Sequence, residues 1–412
     1  MFTTAVRNLQ RQFGLVVAVC GLSVLVNTAR AEIELIGVGT IPGTATDRSG
    51  RTAKLSNGVP RNRLGGISAL ESTGDGRRYL ALSDRGPADG GVDWHCRFHT
   101  LAIDIRPNRS PAVVVELLST TMLTDSAGRP FTGRATAFSP TPQVAERLDP
   151  EGIRISSAGH IWISDEYGPQ LIEFSRAGRK IRSIAAPKRW QIDHPAASKN
   201  TENNANRSGR QANRGMEGLA ISRNGRVLIG LMQSPLLQDS VRKPNGKPTG
   251  TNCRLVRISR RTGERKEFLY VLDNADNKLN EILAVDAHRF LVIERDGEPG
   301  NKARFKKIVQ INTDTATDIQ TIPQLPAFRV PAGVVPVAKK MFIDLLDRRF
   351  ALRGSEMPEK VEGLTFGPAL PDGRRTLLIA SDNDFKADEP TRIFVFAFGA
   401  SDLPVACRAI AH

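Results

Sequence analysis

The chain has 412 residues, 40% hydrophobic and 25% charged, with a formal net charge of +15. That length carries a sizeable core in one large domain or two ordinary ones, and with four cysteines a disulfide framework is excluded as what holds it together. The basic residues are scattered over alternating segments and turns, with few aromatics and no recognition motif, which argues against nucleic-acid binding.

At the N-terminus, Arg7 and Arg11 precede an apolar run from Phe13 to Val26, followed by Ala29-Arg30-Ala31. This order predicts a secretory signal over residues 1–31 and a single exported domain over 32–412, periplasmic or secreted. The run is shorter than the roughly 20 residues of a membrane span, and no later segment qualifies, so no transmembrane anchor is expected in the mature chain. Val19 before Cys20 does not suit a lipoprotein cleavage site. Losing Arg7, Arg11 and Arg30 leaves about +12, which suits anionic envelope surfaces, small anionic substrates or simply solubility. Cys96, Cys253 and Cys407 then allow at most one intramolecular disulfide, with three pairings open.

Further along, one pattern recurs. It appears as "GGISALESTGDGRRYLALSDRGP" from Gly65, "EGIRISSAGHIWISDEYGP" from Glu151 and "MEGLAISRNGRVLIGLMQSP" from Met216. It returns as "NEILAVDAHRFLVIERDG" from Asn280 and "VEGLTFGPALPDGRRTLLIASDND" from Val361. Each is an alternating strand, a turn and a second apolar strand ending in acid or amide. Asn224-Gly225 and Asp372-Gly373 are strong hairpin signals; Asp75-Gly76 and Ala158-Gly159 do the same job less stringently. Hairpins of one design, roughly 65 to 85 residues apart, predict an all-β chain folded as a β-propeller with long insertions. Six or seven blades are expected, some degenerate. The segment before Gly65 and the strand from Thr391 to Phe398 are expected to close the ring within one blade. A helix is expected near Ala338 to Leu346. Pro187 to Arg214 and Ser240 to Gly250 read as polar surface loops, the first as a floppy insertion or a lid.

In a propeller the first strand of each blade lines the channel, so equivalent residues converge on one axis. Glu151, Glu217, Glu281 and Glu362 are aligned at one place in their repeats, with a glycine there in the Gly65 repeat. The strand ends bring Asp84, Asp165 with Glu166, Gln233, Glu294 with Asp296, and Asp382 with Asp384. Crowded carboxylates raise one another's pKa and cost stability, and a bound hard cation removes that cost. Oxygen ligands without Cys or clustered His favour calcium over zinc. The plainer reading makes each Glu-Gly pair a polar strand entry whose glycine permits tight packing.

Other chemistry is sparse: no G-x-S-x-G, H-E-x-x-H or C-x-x-C motif and no phosphate-binding glycine loop occurs. His95, Cys96 and His99 are ligand types, but a strand would splay them over two faces; His160 at a turn is expected to be solvated. Arg85, Arg214, Arg254 and Arg295 flank the signature and suit either an anionic group or salt bridges.

With "DPEGIRIS…IWISDEYGP", "NRGMEGLAIS…LMQSPL", "NCRLVRI", "EILAVDAHRFLVIERDG" and "KVEGLTF…LLIASDND" in this order, the chain resembles the phytase-like β-propeller proteins described as having esterase-like activity. The resemblance runs from about Leu35 to Phe398. The last segment is also similar to a repeat of the calcium-dependent alkaline phytases, in which water attacks phosphorus without a covalent nucleophile. The resemblance implies a propeller with Glu151, Glu217, Glu281 and Glu362 near the axis, and a hydrolase of an ester or phosphoester using metal-activated water. It does not imply phytate as substrate.

The resulting assignment places calcium on Glu151, Glu217, Glu281, Glu362 and Asp382. Asp165, Glu166 and Glu294 are assigned to catalysis, and Arg85 and Arg295 to a small anionic or ester substrate. A lactonase-like enzyme and a non-catalytic scaffold with a structural calcium are the alternatives.

Overall fold

Each of the five hairpins forms the two inner strands of a four-stranded antiparallel sheet. The computed structural model describes residues 33–403; the expected signal segment and Cys407 lie outside the described residues. The first blade comprises Ile67–Ser72, Arg78–Ser83, Arg97–Ile105 and Val113–Met122; the second, Pro150–Ile155, Ile161–Asp165, Gln170–Phe174 and Lys180–Ala185. The third comprises Met216–Ile221, Val227–Met232, Asn252–Ser259 and Arg265–Val271; the fourth, Lys278–Ala284, Arg289–Arg295, Lys306–Asn312 and Ala338–Asp344. The fifth runs outward from Lys360–Ala369 through Arg375–Asp382 and Thr391–Phe398 to Glu34–Ile41. This last sheet joins the two ends of the described chain in one blade, as the sequence suggested. The inner strands pack against one another in a closed cycle, a β-propeller arrangement. The described residues form five such sheets, one per visible repeat, rather than the six or seven blades expected.

The hairpins turn where the sequence marks them, with Gly76, Gly159, Gly225 and Gly373 all at positive φ. The glycine after the signature acid does a different job. A Cβ on Gly152 would lie 2.7 Å from Leu219, and one on Gly218 would lie 2.9 Å from the backbone of Ile282. Neighbouring blades approach closely there, so the packing role foreseen for these glycines holds.

Three expectations change. Ala338–Asp344 is the outer strand of the fourth blade, not a helix. A bulge in its pairing with Lys306–Asn312 buries both Phe342 and Ile343, which breaks the two-residue alternation. The Pro187–Arg214 insertion is packed, not floppy. Trp190 is fully buried and donates to Glu267 at 3.1 Å, and the short helix Lys199–Ala205 buries Glu202 against Arg210 at 2.5 Å. The Ser240–Gly250 loop carries a small hairpin, Val241–Arg242 with Pro248–Thr249.

Deep in the axis, Arg154 joins the blades. Its guanidinium donates to the carbonyls of Leu70 (3.2 Å), Ile153 (2.6 Å), Ile282 (2.9 Å) and Leu364 (3.4 Å), on four inner strands. It also lies 3.0 Å from Glu281 and 3.8 Å from Glu71. Glu281 in turn accepts from the Leu219 N–H of the third blade at 3.1 Å. Burial pushes Glu281 up to about 8, against the pull of Arg154 and two backbone N–H groups.

Two stability predictions follow from this packing. Arg154→Met leaves Glu281 without its cation and should cost about 3–5 kcal/mol in denaturant unfolding, with part regained on adding Glu281→Gln. Trp190→Ala should cost about 3–5 kcal/mol in the same measurement; a loss under 1 kcal/mol would mean the insertion packs only loosely.

Candidate functional site

All five inner strands carry a register shift at the same place, between Ile67/Ala69, Pro150/Ile153, Met216/Gly218, Leu279/Ile282 and Val361/Gly363. A bulge re-aims the side chain it carries. By register the bulged positions are Ser68, Glu151, Glu217, Asn280 and Glu362. Asn280 bridges two of them, donating to Glu217 at 3.2 Å and to Glu362 at 2.9 Å.

Here the aligned repeat slips by one. Asn280, not Glu281, is the fourth blade's counterpart of Glu151, and Ser68 stands where a glycine was expected. Glu281 matches Gly152, faces away from this cluster and meets Arg154. The strand ends sort by the same two-residue rule. Asp84, Glu166, Gln233, Arg295 and Asp382 are equivalent, whereas Asp165 and Glu294 sit one residue earlier. Asp165 accepts from the Asp149 and Tyr167 N–H groups (3.1 Å each) and from Gln170 (2.8 Å), so it organises the turn; burial raises it to about 6. Glu294 is fully buried and accepts from Tyr270 (2.6 Å), Asp273 N–H (2.7 Å), Asn277 (2.8 Å) and Lys339 (2.9 Å).

The residues that do converge are Asp84, Asp149 and Glu151. One carboxylate oxygen from each lies within 4.8 Å of the others, and the three could hold a metal ion. Asp149 was missed in the sequence, although it stands two residues before Glu151 and therefore on the same strand face. Glu217 and Glu166 complete the acidic surroundings. Burial, then neighbouring carboxylates, drive Asp84, Glu151 and Glu217 well above the usual range. Asp149 is pushed to about 7 by burial, with Arg85 pulling it back. Among the described residues, Asp149 Oδ1 and Glu217 Oε2 are buried without a hydrogen-bond partner. An all-oxygen donor set with orphaned oxygens fits a hard divalent cation.

The basic residues are mostly engaged. Arg85 donates to Asp149 at 2.7 Å, bonds Asp89 and lies 4.0 Å from Glu166. Arg295 donates to Glu362 at 2.7 Å, and Lys360 to Asp382 at 3.0 Å. Burial raises Asp382 to about 6 despite Lys360. Arg254 bonds Asp239 (2.6 Å) and Glu267 (3.2 Å), away from the triad. His95, Cys96 and His99 do not form a ligand group. His99 bonds Ser83 (3.1 Å) and Thr120 (3.0 Å), and Cys96 and Cys253 are free and buried. The His160 side chain is partly exposed and lies 3.0 Å from Glu173.

Residues 62–385 match the family model described as "Phytase-like: Esterase-like activity of phytase". The chain belongs to this phytase-like family. An uncharacterized secreted protein of Arthroderma benhamiae is 30% identical over 253 residues, covering 50% of this chain and 49% of that protein. The chain thus spans about half the length of this relative. Among solved structures, a gluconolactonase of Xanthomonas campestris shows 11% identity with a TM-score of 0.34, covering 87% of this chain and 97% of its own. Virginiamycin B lyase from Staphylococcus aureus shows 9% identity with a TM-score of 0.33, covering 89% and 99%. No helix among the described residues is long and apolar enough to cross a membrane.

The raised acids fix the sign of a pH effect. Folded carboxyls with elevated pKa hold protons that the unfolded chain would release, so without a cation their contribution to stability falls as pH rises from about 4 through 7. A cation must displace those protons. Calorimetric calcium titration should therefore give tighter binding at about pH 8 than at pH 6, by up to about tenfold per pH unit for each proton displaced. Equal affinities at both pH values would show that these carboxyls do not ligate.

Proposed function

We propose that this phytase-like propeller is an exported hydrolase that cleaves an ester or phosphoester with the aid of calcium held by Asp84, Asp149 and Glu151. The observation that carries this reading is the convergence of three carboxylates at the axis of a chain of this family. Export is supported by the basic, apolar and A-x-A pattern of residues 1–31 and by the description of the fungal relative as secreted. The chemistry that calcium supplies in such a site is polarisation of the scissile group and activation of water.

The side chains divide the remaining work. Glu217, with one oxygen unpartnered, stands beside the triad and extends the cation's surroundings. Glu362 and Asp382, held by Arg295 and Lys360, form the farther acidic wall. Glu166 is the group proposed to accept the proton of the attacking water. Its Oε1 accepts from the Gly215 N–H at 2.8 Å, which leaves Oε2, 4.0 Å from Arg85, as the accepting atom. Burial raises its pKa, which favours proton uptake. Arg85 holds Asp149 in place, and Asp165 fixes the turn that carries Glu166. Glu294, with all its lone pairs engaged, braces the fourth blade.

Glu151→Gln combined with Glu217→Gln should weaken calcium binding by at least about tenfold and lower turnover on a panel of esters and phosphoesters. An unchanged calcium titration would remove the axial site. Calcium binding without turnover of any ester would point instead to a non-catalytic propeller with a structural ion.

A further inference from the structure

The end of the ring opposite the mouth carries the hairpin turns, and it is charged unevenly. In the first, fourth and fifth blades the turn between the two inner strands begins with Asp75, Asp286 or Asp372. Each accepts a backbone N–H of its own turn and pairs with an arginine just after it, Arg78, Arg289 or Arg374. At the same position the second and third blades have Ala158 and Asn224. Asn224 Oδ1 still accepts from the Arg226 N–H at 3.1 Å, so the turn geometry does not require the charge. The third blade gives up the acid but not the arginines, and Arg223 and Arg226 stay exposed.

The turns between the third and fourth strands of these two blades add to this. In the second blade Arg176, Arg179 and Arg182 are exposed there. In the third, Arg261 and Lys266 are exposed, and Arg257 stands directly opposite Lys266 in the sheet, like charge facing like. The four turns are joined. Arg176 donates to the Gly159 carbonyl at 3.2 Å and Arg260 to the Gly225 carbonyl at 2.6 Å, and Arg260 reaches Glu173 of the second blade at 3.3 Å. Glu173 is buried and already answers Arg182 at 2.6 Å, which leaves Glu264 as the one exposed acid of these turns. Arg223, Arg226, Arg261 and Lys266 have no ion pair and no side-chain hydrogen bond among the described residues.

We infer that the second and third blades present a basic face that docks on an anionic phospholipid surface, with the axial mouth turned away toward solution. The partner follows from charge and shape. Unpaired arginines and a lysine on neighbouring turns match closely spaced phosphate groups. They stand on turns rather than in a groove, and no exposed aromatic lies among them to stack a base. Ile181, 47% exposed between Lys180 and Arg182, adds an apolar side chain suited to the headgroup boundary. The inference is independent of the hydrolase reading, since it uses no residue of the mouth.

The test uses the chain from Glu32, which retains all five blades and lacks the apolar run from Phe13 to Val26. Arg223→Gln, Arg226→Gln, Arg261→Gln and Lys266→Gln are combined in one variant. A control removes as many exposed charges from connections on the mouth side, with Arg48→Gln, Lys54→Gln, Arg207→Gln and Lys247→Gln. Each protein is sedimented with phosphatidylcholine vesicles that do or do not contain phosphatidylglycerol, at low and at high salt. The wild type and the control should bind only the anionic vesicles and release them at high salt. The combined variant should bind at least about a hundredfold more weakly, at about fivefold for each basic residue near the surface, with an unchanged Tm. Ile181→Gln, which leaves the charge intact, should weaken binding severalfold. No binding to anionic vesicles, equal loss in the variant and the control, or an Ile181→Gln protein that binds like the wild type overturns the inference. Tighter binding to double-stranded DNA or heparin than to the vesicles also overturns it, and makes the partner an anionic polymer.

Discussion

One guanidinium, that of Arg154, lies where the blades meet. Its carbonyl partners come from the first, second, fourth and fifth blades, and Glu281 carries the link to the third through Leu219. A propeller has no single core; each sheet packs on the next, and its centre is lined by backbone that must find partners or water. Arg154 satisfies that backbone at one level and brings its charge into a region where, among the described residues, Glu281 and Glu71 answer it. Everything above this level depends on it, because the inner strands that carry the acidic mouth are held in register there.

The bulges then decide what faces the mouth. Without them the inner strands would alternate plainly, and each Glu-Gly pair would only enter a strand. With one bulge per inner strand, the acid turns to the axis and the glycine lets the next blade approach. The close-packing reading of the glycines therefore holds, while the acid beside each of them is the bulged residue. The repeats, the hairpin turns and the closing blade were legible because each writes a local pattern of alternation and turn residues. The counterpart of Glu151 in the fourth blade was not. "NEIL" and "PEGI" align by their acids, but the structure aligns Asn280 with Glu151, and a one-residue shift in a strand exchanges faces. The same parity removes Asp165 and Glu294 from the cluster. Asp149 lay in plain view in "DPEGI", but its place depends on a ring that no local pattern records.

Charge at the mouth follows a compensation rule with a gap. Arg85, Arg295 and Lys360 pair with Asp149, Glu362 and Asp382, while burial and neighbouring carboxylates leave Glu151 and Glu217 raised. The unmet requirement is for a cation: among the described residues, Asp149 Oδ1 and Glu217 Oε2 have no donor. The metal-assisted hydrolase proposed above would meet that requirement, and the insertion before Gly215 is packed around Trp190 and Arg210. Membership of the phytase-like family agrees with that chemistry without naming the substrate.

The most direct test of the metal centre is anomalous diffraction from crystals grown with a lanthanide substituting for calcium. A strong peak is expected among Asp84, Asp149 and Glu151, within coordination distance of all three carboxylates. A well-ordered map with no peak there, or with ions only at the protein surface, would contradict it.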